Sequence, residues 1–284
     1  MNKKIAVVTG TSSGLGLGIS KVLAETGWKV YATMRNLDKG TPVKDLQQSG
    51  LDIELLQLDV QSQVSVDQAV QTVIDEEGRI DLFINNAGIG FIRNTEQSSE
   101  EDYKRIFDIN TYGPIRCTKA LLPHMREQKA GRIVSISSVG GLVGQPMHEI
   151  YCASKFALEG YYESLATYVT PYFGVEFMIV EPGGIESEFA NSVLADIEKT
   201  GGFPKDEYEQ VLNDFMGQRG NQDSGVFQTP EEIAERMMVE LEKDTLPLRM
   251  RTSEWSEEFT KLKTSADPTG LKQTAMVTSS LLGK

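Results

Sequence analysis

Cysteine and histidine are scarce in this chain, with two of each among 284 residues. Cys117 and Cys152 are too few for a disulfide framework. Together with His124 and His148 they offer no metal-ligating spacing. Neither histidine has a recognisable nucleophile context, which removes the support for Ser-His-Asp hydrolysis. Long apolar runs are lacking too: stretches such as residues 5–8 and 177–180 are far too short to span a bilayer. No signal-peptide apolar core follows Lys3 and Lys4. Positive charge is in deficit, with 28 Lys and Arg against 41 Asp and Glu, a net charge of −13. That balance argues against nucleic acid and anionic membrane surfaces as partners. These absences leave a cytoplasmic chain without membrane insertion, of a length expected to form one domain over residues 1–284.

What is present is alternation. Val- and Ile-rich strand candidates fall at 5–8, 29–33, 53–58, 82–85, 132–137 and 175–180. Helical candidates lie between them at 15–26, 63–77, 100–109, 115–128 and 150–172. The rhythm predicts a doubly wound α/β fold of Rossmann type: a parallel sheet with helices on both faces. After Pro182 it breaks. Residues 187–227 read as one or two short helices forming a substrate lid, with Phe189, Phe203 and Phe215 among its apolar residues. The alternative is a surface insertion. "TPEEIAERMMVELEK" predicts a helix capped by Thr229, and "PLRMRT" a last edge strand. Residues 253–284 form a polar, weakly periodic tail with no assigned structure.

"VVTGTSSGLGLGIS" places Gly10, Gly14 and Gly16 at the first strand–helix junction. Glycine there permits a sharp turn and close approach of a diphosphate to a helix N-terminus, where Leu15 opens the helix. Ser12 and Ser13 add hydroxyls. At the end of the second strand a dehydrogenase using NAD usually carries an acid. This chain has Met34 and Arg35 instead, and a guanidinium suits a 2′-phosphate, so NADP(H) is favoured over NAD(H). The competing reading of Arg35 is a solvated surface residue. Asp59 and Val60 end the third strand, placed for an adenine edge, unless Asp59 caps the next segment. "INNAG" supplies Asn86, Ala87 and Gly88 for close backbone approach to a cofactor ribose, or else an ordinary Asx turn.

"YCASK" sets Tyr151 and Lys155 one helical turn apart with small residues between. A tyrosine with an ordinary pKa near ~10 gains phenolate character beside a cation and can exchange a proton with an alcohol or ketone. Thirteen residues upstream, Ser138 follows a predicted strand at its carboxyl end, where it can orient a substrate oxygen; Ser137 should face the other way. In "EPGGIESEF", Pro182 and Gly183 turn the chain. Ile185 can present its backbone, and Ser187 its hydroxyl, to a nicotinamide carboxamide. His148 is expected at the substrate mouth.

Taken in order, "TGTSSGLG", "NNAG", Asn110, Ser138 with "YCASK", and "PGGIES" resemble the short-chain dehydrogenase/reductase family over about residues 3–190. The resemblance implies an oxidoreductase with Asn110, Ser138, Tyr151 and Lys155 as a catalytic tetrad, of which Tyr151 and Lys155 also bind the cofactor, Lys155 as the ribose anchor. Asn110 would hold a relay water for Lys155. "VYATMRNL" and "YCASKFALEGYYESLA" resemble the 17β-hydroxysteroid and retinol dehydrogenase branch, implying NADP(H) and an apolar alcohol/ketone substrate. Ser187 departs from a common threonine but keeps the hydroxyl. Family members often form homodimers or homotetramers through the helices at 115–128 and 150–172, which directs attention to Leu121, Leu122, Phe156 and Leu158. The rival readings are a reductase of small aliphatic or aryl carbonyls, an NADP(H)-binding regulatory protein without turnover, and an α/β scaffold without cofactor.

Overall fold

The computed structural model describes residues 3–186, 188–199, 201–220 and 227–283, with some side chains of 188–192, 196 and 218–220 outside that description. The chain runs β1 (Ile5–Thr9), α1 (Gly14–Glu25), β2 (Lys29–Met34), α2 (Thr41–Gln48), β3 (Ile53–Gln57), α3 (Gln63–Glu77) and β4 (Leu82–Asn85). It continues through α4 (Glu100–Phe107), α5 (Gly113–Gln128), β5 (Gly131–Ile136), α6 (Glu149–Ala166), α7 (Val169–Phe173) and β6 (Val175–Glu181). Then come β7 (Gly184–Ile185), α8 (Glu188–Lys199), α9 (Glu209–Gly220), β8 (Phe227–Gln228), α10 (Pro230–Leu241), β9 (Arg249–Arg251), α11 (Glu254–Thr264) and α12 (Leu271–Leu282).

Seven of these strands form one parallel sheet in the order β3-β2-β1-β4-β5-β6-β9, as the alternation predicts. Strand alternation fills both faces. In β4, Phe83 joins a core with Leu121, Met125 and Tyr162, while Leu82 and Ile84 join one with Ile19, Leu23, Ile233 and Met237. The strand order reverses between β1 and β4. Open sheets of this kind bind ligands beyond the strands' carboxyl ends at that switch point.

One local expectation needs correction, and two stretches left without one take on structure. The helix over 150–172 ends at Ala166 and restarts at Val169. Pro171 is the cause: in a continuous helix it could not donate to the Thr167 carbonyl and would crowd it. That carbonyl instead accepts from Thr278 Oγ1 of α12 at 2.6 Å. Helix α2 is an addition to the expected elements; it is short and buries Val43 as its one fully covered side chain. The unassigned tail folds as α11, whose Ser253–Ser256 capping box fixes its start, and α12. No helix among the described residues is long and apolar enough to cross a membrane.

Candidate active site

At the end of β1 the chain enters the left-handed region at Gly10 (φ 71°) and again at Gly14 (φ 58°), where α1 begins. The turn leans on the exit of β4. A Cβ on Gly10 would lie 2.8 Å from Ala87 Cα, and one on Gly16 would lie 2.4 Å from both the Gly10 carbonyl oxygen and Asn86 Nδ2. Asn86 Nδ2 donates to the carbonyls of Thr9 (2.8 Å) and Gly10 (3.1 Å). Thr9 Oγ1 accepts from the backbone N–H groups of Asn86 and Ala87, both at 3.0 Å. Asn86 and Ala87 therefore brace the glycine turn. Ser13 is exposed at the start of α1 and its side chain makes no capping bond; Ser12 is half-buried and Leu15 packs into the core.

Thr9 carries no signal in the sequence, where it looks like the ordinary end of a strand. Thr9→Val keeps the shape but leaves two half-buried N–H groups without their acceptor. The expected loss is about 2–4 kcal/mol of unfolding free energy, read by denaturant titration. A loss below about 0.5 kcal/mol would show that the brace carries no weight.

Along the sheet, Met34 is buried and Arg35 exposed. Arg35 makes a long 3.5 Å contact to Gln61 Oε1, and its carbonyl accepts from Gln57 Nε2. Asp59 Oδ1 accepts from the Gln61 N–H at 3.0 Å, so this carboxylate closes its own turn. Val60 is buried against Gly113, where a Cβ would meet Val60 Cβ at 3.0 Å.

The chemical end is built by α6, β5 and the turn between α4 and α5. Lys155 is buried, donates from Nζ to the Ile136 carbonyl at 2.9 Å, and lies 5.8 Å from the Tyr151 ring centre. Burial pushes its ammonium down to about 8, opposed by Glu159 one turn further on. Ser138 follows β5 and accepts at Oγ from the Gly140 N–H at 3.0 Å. A Cβ on Gly140 would lie 3.3 Å from both Ser138 Oγ and Tyr151 Cε1, so the two side chains border the same small residue.

Asn110 sits in a five-residue π-helical turn, Asp108–Tyr112, a form that recurs at functional sites. Its amide clamps the Ile89 backbone in both directions, at 2.9 Å each, and also donates to Ser154 Oγ. A Cβ on Gly88 would sit 3.3 Å from Asn110 Oδ1 and 3.7 Å from Lys155 Nζ. Gly88 thus joins the glycine turn to the chemical end.

Pro182 is buried and its carbonyl accepts from the Val139 N–H, which fastens the segment after β6 to the one after Ser138. Gly183 follows; Gly184 and Ile185 form β7 and pair with β8. Ser187 lies outside the described residues, as does the side chain of Phe189. The stretch read as short helices holds α8 and α9, whose Val193, Ile197 and Leu212 pack with Ile92, Met147 and the partly buried Phe203. Met147 is held at φ 61°, a costly conformation for a non-glycine residue. Beside it, His148 places its ring 6.1 Å from Tyr151 and 5.3 Å from Phe215. Leu121 and Leu158 belong to the chain's own core, whereas Phe156 is exposed.

A family model described as short chain dehydrogenase matches residues 4–198. Human 17-beta-hydroxysteroid dehydrogenase type 1 is 33% identical over 277 residues, covering 95% of this chain and 83% of that protein. Retinol dehydrogenase 8 of Bos taurus is 33% identical over 275 residues, covering 94% and 86%. Among solved structures, a short-chain dehydrogenase from Streptomyces avermitilis superposes with a TM-score of 0.77 at 28% identity, covering 99% of each chain.

Proposed function

From the chain's membership of the short-chain dehydrogenase/reductase family, and hence its being a nicotinamide-dependent oxidoreductase, we propose that it interconverts an apolar secondary alcohol and its ketone with NADP(H). The observation that carries this reading is that Tyr151 borders Gly140 together with Ser138 and lies 5.8 Å from the ammonium of Lys155, which in turn borders Gly88 next to the glycine turn of β1.

The residues present suit a dinucleotide. The turn through Gly10 and Gly14 ends at a helix N-terminus, and the exposed Ser13 leaves that end without a side-chain cap. In this reading Gly10, Ser12, Ser13, Gly14, Leu15 and Gly16 hold the diphosphate. Asp59, Val60, Asn86, Ala87 and Gly88 border adenine and ribose, and Pro182, Gly183, Ile185 and Ser187 border the carboxamide. When bound, the nicotinamide supplies the hydride acceptor or donor.

Tyr151 moves the proton at its Oη: it takes one from an alcohol or gives one to a ketone oxygen. Lys155, held by the Ile136 carbonyl, lies close enough to favour the phenolate while it remains charged. Ser138 Oγ, set by the Gly140 N–H, donates to the same substrate oxygen. Asn110 fixes the Ile89 backbone and the helix turn beneath Lys155, where a relay water would be retained.

Steroid- or retinoid-like substrates are favoured by the names of the two relatives and by the apolar contacts of α8 and α9, which would act as a lid. A cytoplasmic homodimer or homotetramer is part of the same reading, with the exposed Phe156 of α6 as a contact. The test is reduced-nicotinamide absorbance across steroid, retinoid, aliphatic and aryl carbonyls with both cofactors. Arg35→Ala should raise the KM for NADPH by about 10- to 100-fold, the worth of a charge-assisted phosphate contact, and leave that for NADH nearly unchanged. Equal changes would remove the argument for NADP(H).

A further inference from the structure

Behind Ser138 lies a group of buried charges with no part in the chemistry above. Glu159 of α6 is 4% exposed and Glu181, the last residue of β6, is 0% exposed. Both face the guanidinium of Arg249 on β9, with Nε 3.8 Å from Glu159 Oε2 and 3.6 Å from Glu181 Oε1. Arg249 also pairs through its other end with Glu163 of α6. Arg251 of β9 binds Glu181 Oε2 at 3.2 Å and Glu257 of α11 at 3.0 Å.

No standard hydrogen bond reaches either oxygen of Glu159, Oε1 of Glu181, Nε of Arg249 or Oγ of Ser137. Such a cluster of buried polar atoms demands a physical account. Ser137 and Glu159 are neighbours, since a Cβ on Gly141 would lie 2.6 Å from Ser137 Oγ and 2.9 Å from Glu159 Oε1. Beside Glu159 Oε1 stands the Ser137 hydroxyl, and the Arg249 Nε between the two carboxyls is beyond hydrogen-bond distance of both. Lys155 stands one turn before Glu159 on the same helix and is equally buried.

We propose that Glu159 and Glu181 share a single proton in the working enzyme, and that the one negative charge left on the pair keeps the ammonium of Lys155 charged beside Tyr151. Glu159 is then a positioning residue, acting through Lys155. Two bare carboxylates in this buried site would repel one another, while two neutral acids would leave Arg249, Arg251 and Lys155 without enough counter-charge. Burial pushes Glu159 up to about 7, and burial together with Glu159 pushes Glu181 well up, which agrees with a retained proton. Such a pair titrates as a unit.

Glu159→Gln leaves its charge on Glu181, away from Lys155, so the buried ammonium gives up its proton more readily. Glu181→Gln concentrates the charge on Glu159, so the ammonium is kept. The alkaline limb of kcat/KM against pH should move down by about one pH unit in Glu159→Gln and stay put or rise in Glu181→Gln.

This inference rests on the proposed role of Lys155, so a second readout avoids turnover. Infrared spectra of the substrate-free protein at pH 7 should show a protonated-carboxyl band in wild type that disappears in Glu181→Gln. Absence of the band from wild type, or its survival in Glu181→Gln, would overturn the shared proton whatever the enzyme reduces. Equal movement of the alkaline limb in both variants would overturn the link to Lys155. If Glu159→Gln fails to fold, Glu159→Asp replaces it, and an alkaline limb that falls as far in Glu181→Gln as in Glu159→Asp would overturn that link equally.

Discussion

Tyr151→Phe should fold, bind the dinucleotide with near-normal affinity and turn over about a thousand-fold more slowly. The change removes one oxygen and nothing else. The ring contacts that place the side chain, against His148 at 6.1 Å and beneath Lys155 Nζ at 5.8 Å, remain available to phenylalanine. Proposed cofactor contacts made by the glycine turn lie on other elements and are untouched. What is lost is the group that exchanges a proton with the substrate oxygen, a contribution of about 10²–10⁴ in rate. Single-turnover absorbance separates this from a binding defect. A rate within tenfold of wild type would move the acid/base role off Tyr151.

Gly16→Ala should have the second large effect, through geometry alone. In an open helix interior alanine is the better residue by about 1 kcal/mol. Here the added carbon would stand 2.4 Å from the Gly10 carbonyl oxygen and 2.4 Å from Asn86 Nδ2. One of those atoms is backbone, so relief requires α1 to shift away from the turn or the turn to deform. The sign of the usual preference reverses. A loss of about 2–3 kcal/mol in stability and a fall of about 100-fold or more in dinucleotide affinity are expected. Denaturant titration and a fluorescence titration with NADPH measure the two. A dissociation constant within threefold of wild type would mean that the turn does not have to keep its shape to bind.

The central elements are legible in the sequence because their patterns are local. Val7, Val8, Ile84 and Val180 lie in short β-branched runs, and glycine or asparagine marks the carboxyl ends of β1 and β4 where the site assembles. Tyr151 and Lys155 are legible because four-residue spacing fixes a shared helix face. Features set by distant contacts are not. Asn86 looks like a ligand-facing amide, yet its side chain spans to the Thr9 and Gly10 carbonyls, seventy-odd positions away in the chain. Asp59 stands between two readings in the sequence, and its own turn takes the carboxylate. In "FALEGYYESLA" nothing distinguishes Glu159, which is buried, from Glu163, which is partly exposed; helix phase and the arginines of β9 decide between them. Pro171 breaks the helix expected over 150–172, and the partner that makes the break tolerable, Thr278, is more than a hundred residues further on.

The wide turn between α4 and α5 carries a different kind of vulnerability. There the Asp108 carbonyl receives the N–H of Gly113, five positions on, so the helix accommodates one residue more than a regular turn would. Deleting a single position from 108–112 would let the segment relax to ordinary winding with little change in helix content. Because the wide turn already absorbs the extra residue, the helices on either side would keep their phase, and only the side chains inside the turn would be moved. Asn110 lies inside that turn, so its clamp on Ile89, next to Gly88 and Lys155 Nζ, would be lost while α4 and α5 kept their places. At this spot, losing a residue is more damaging than exchanging one.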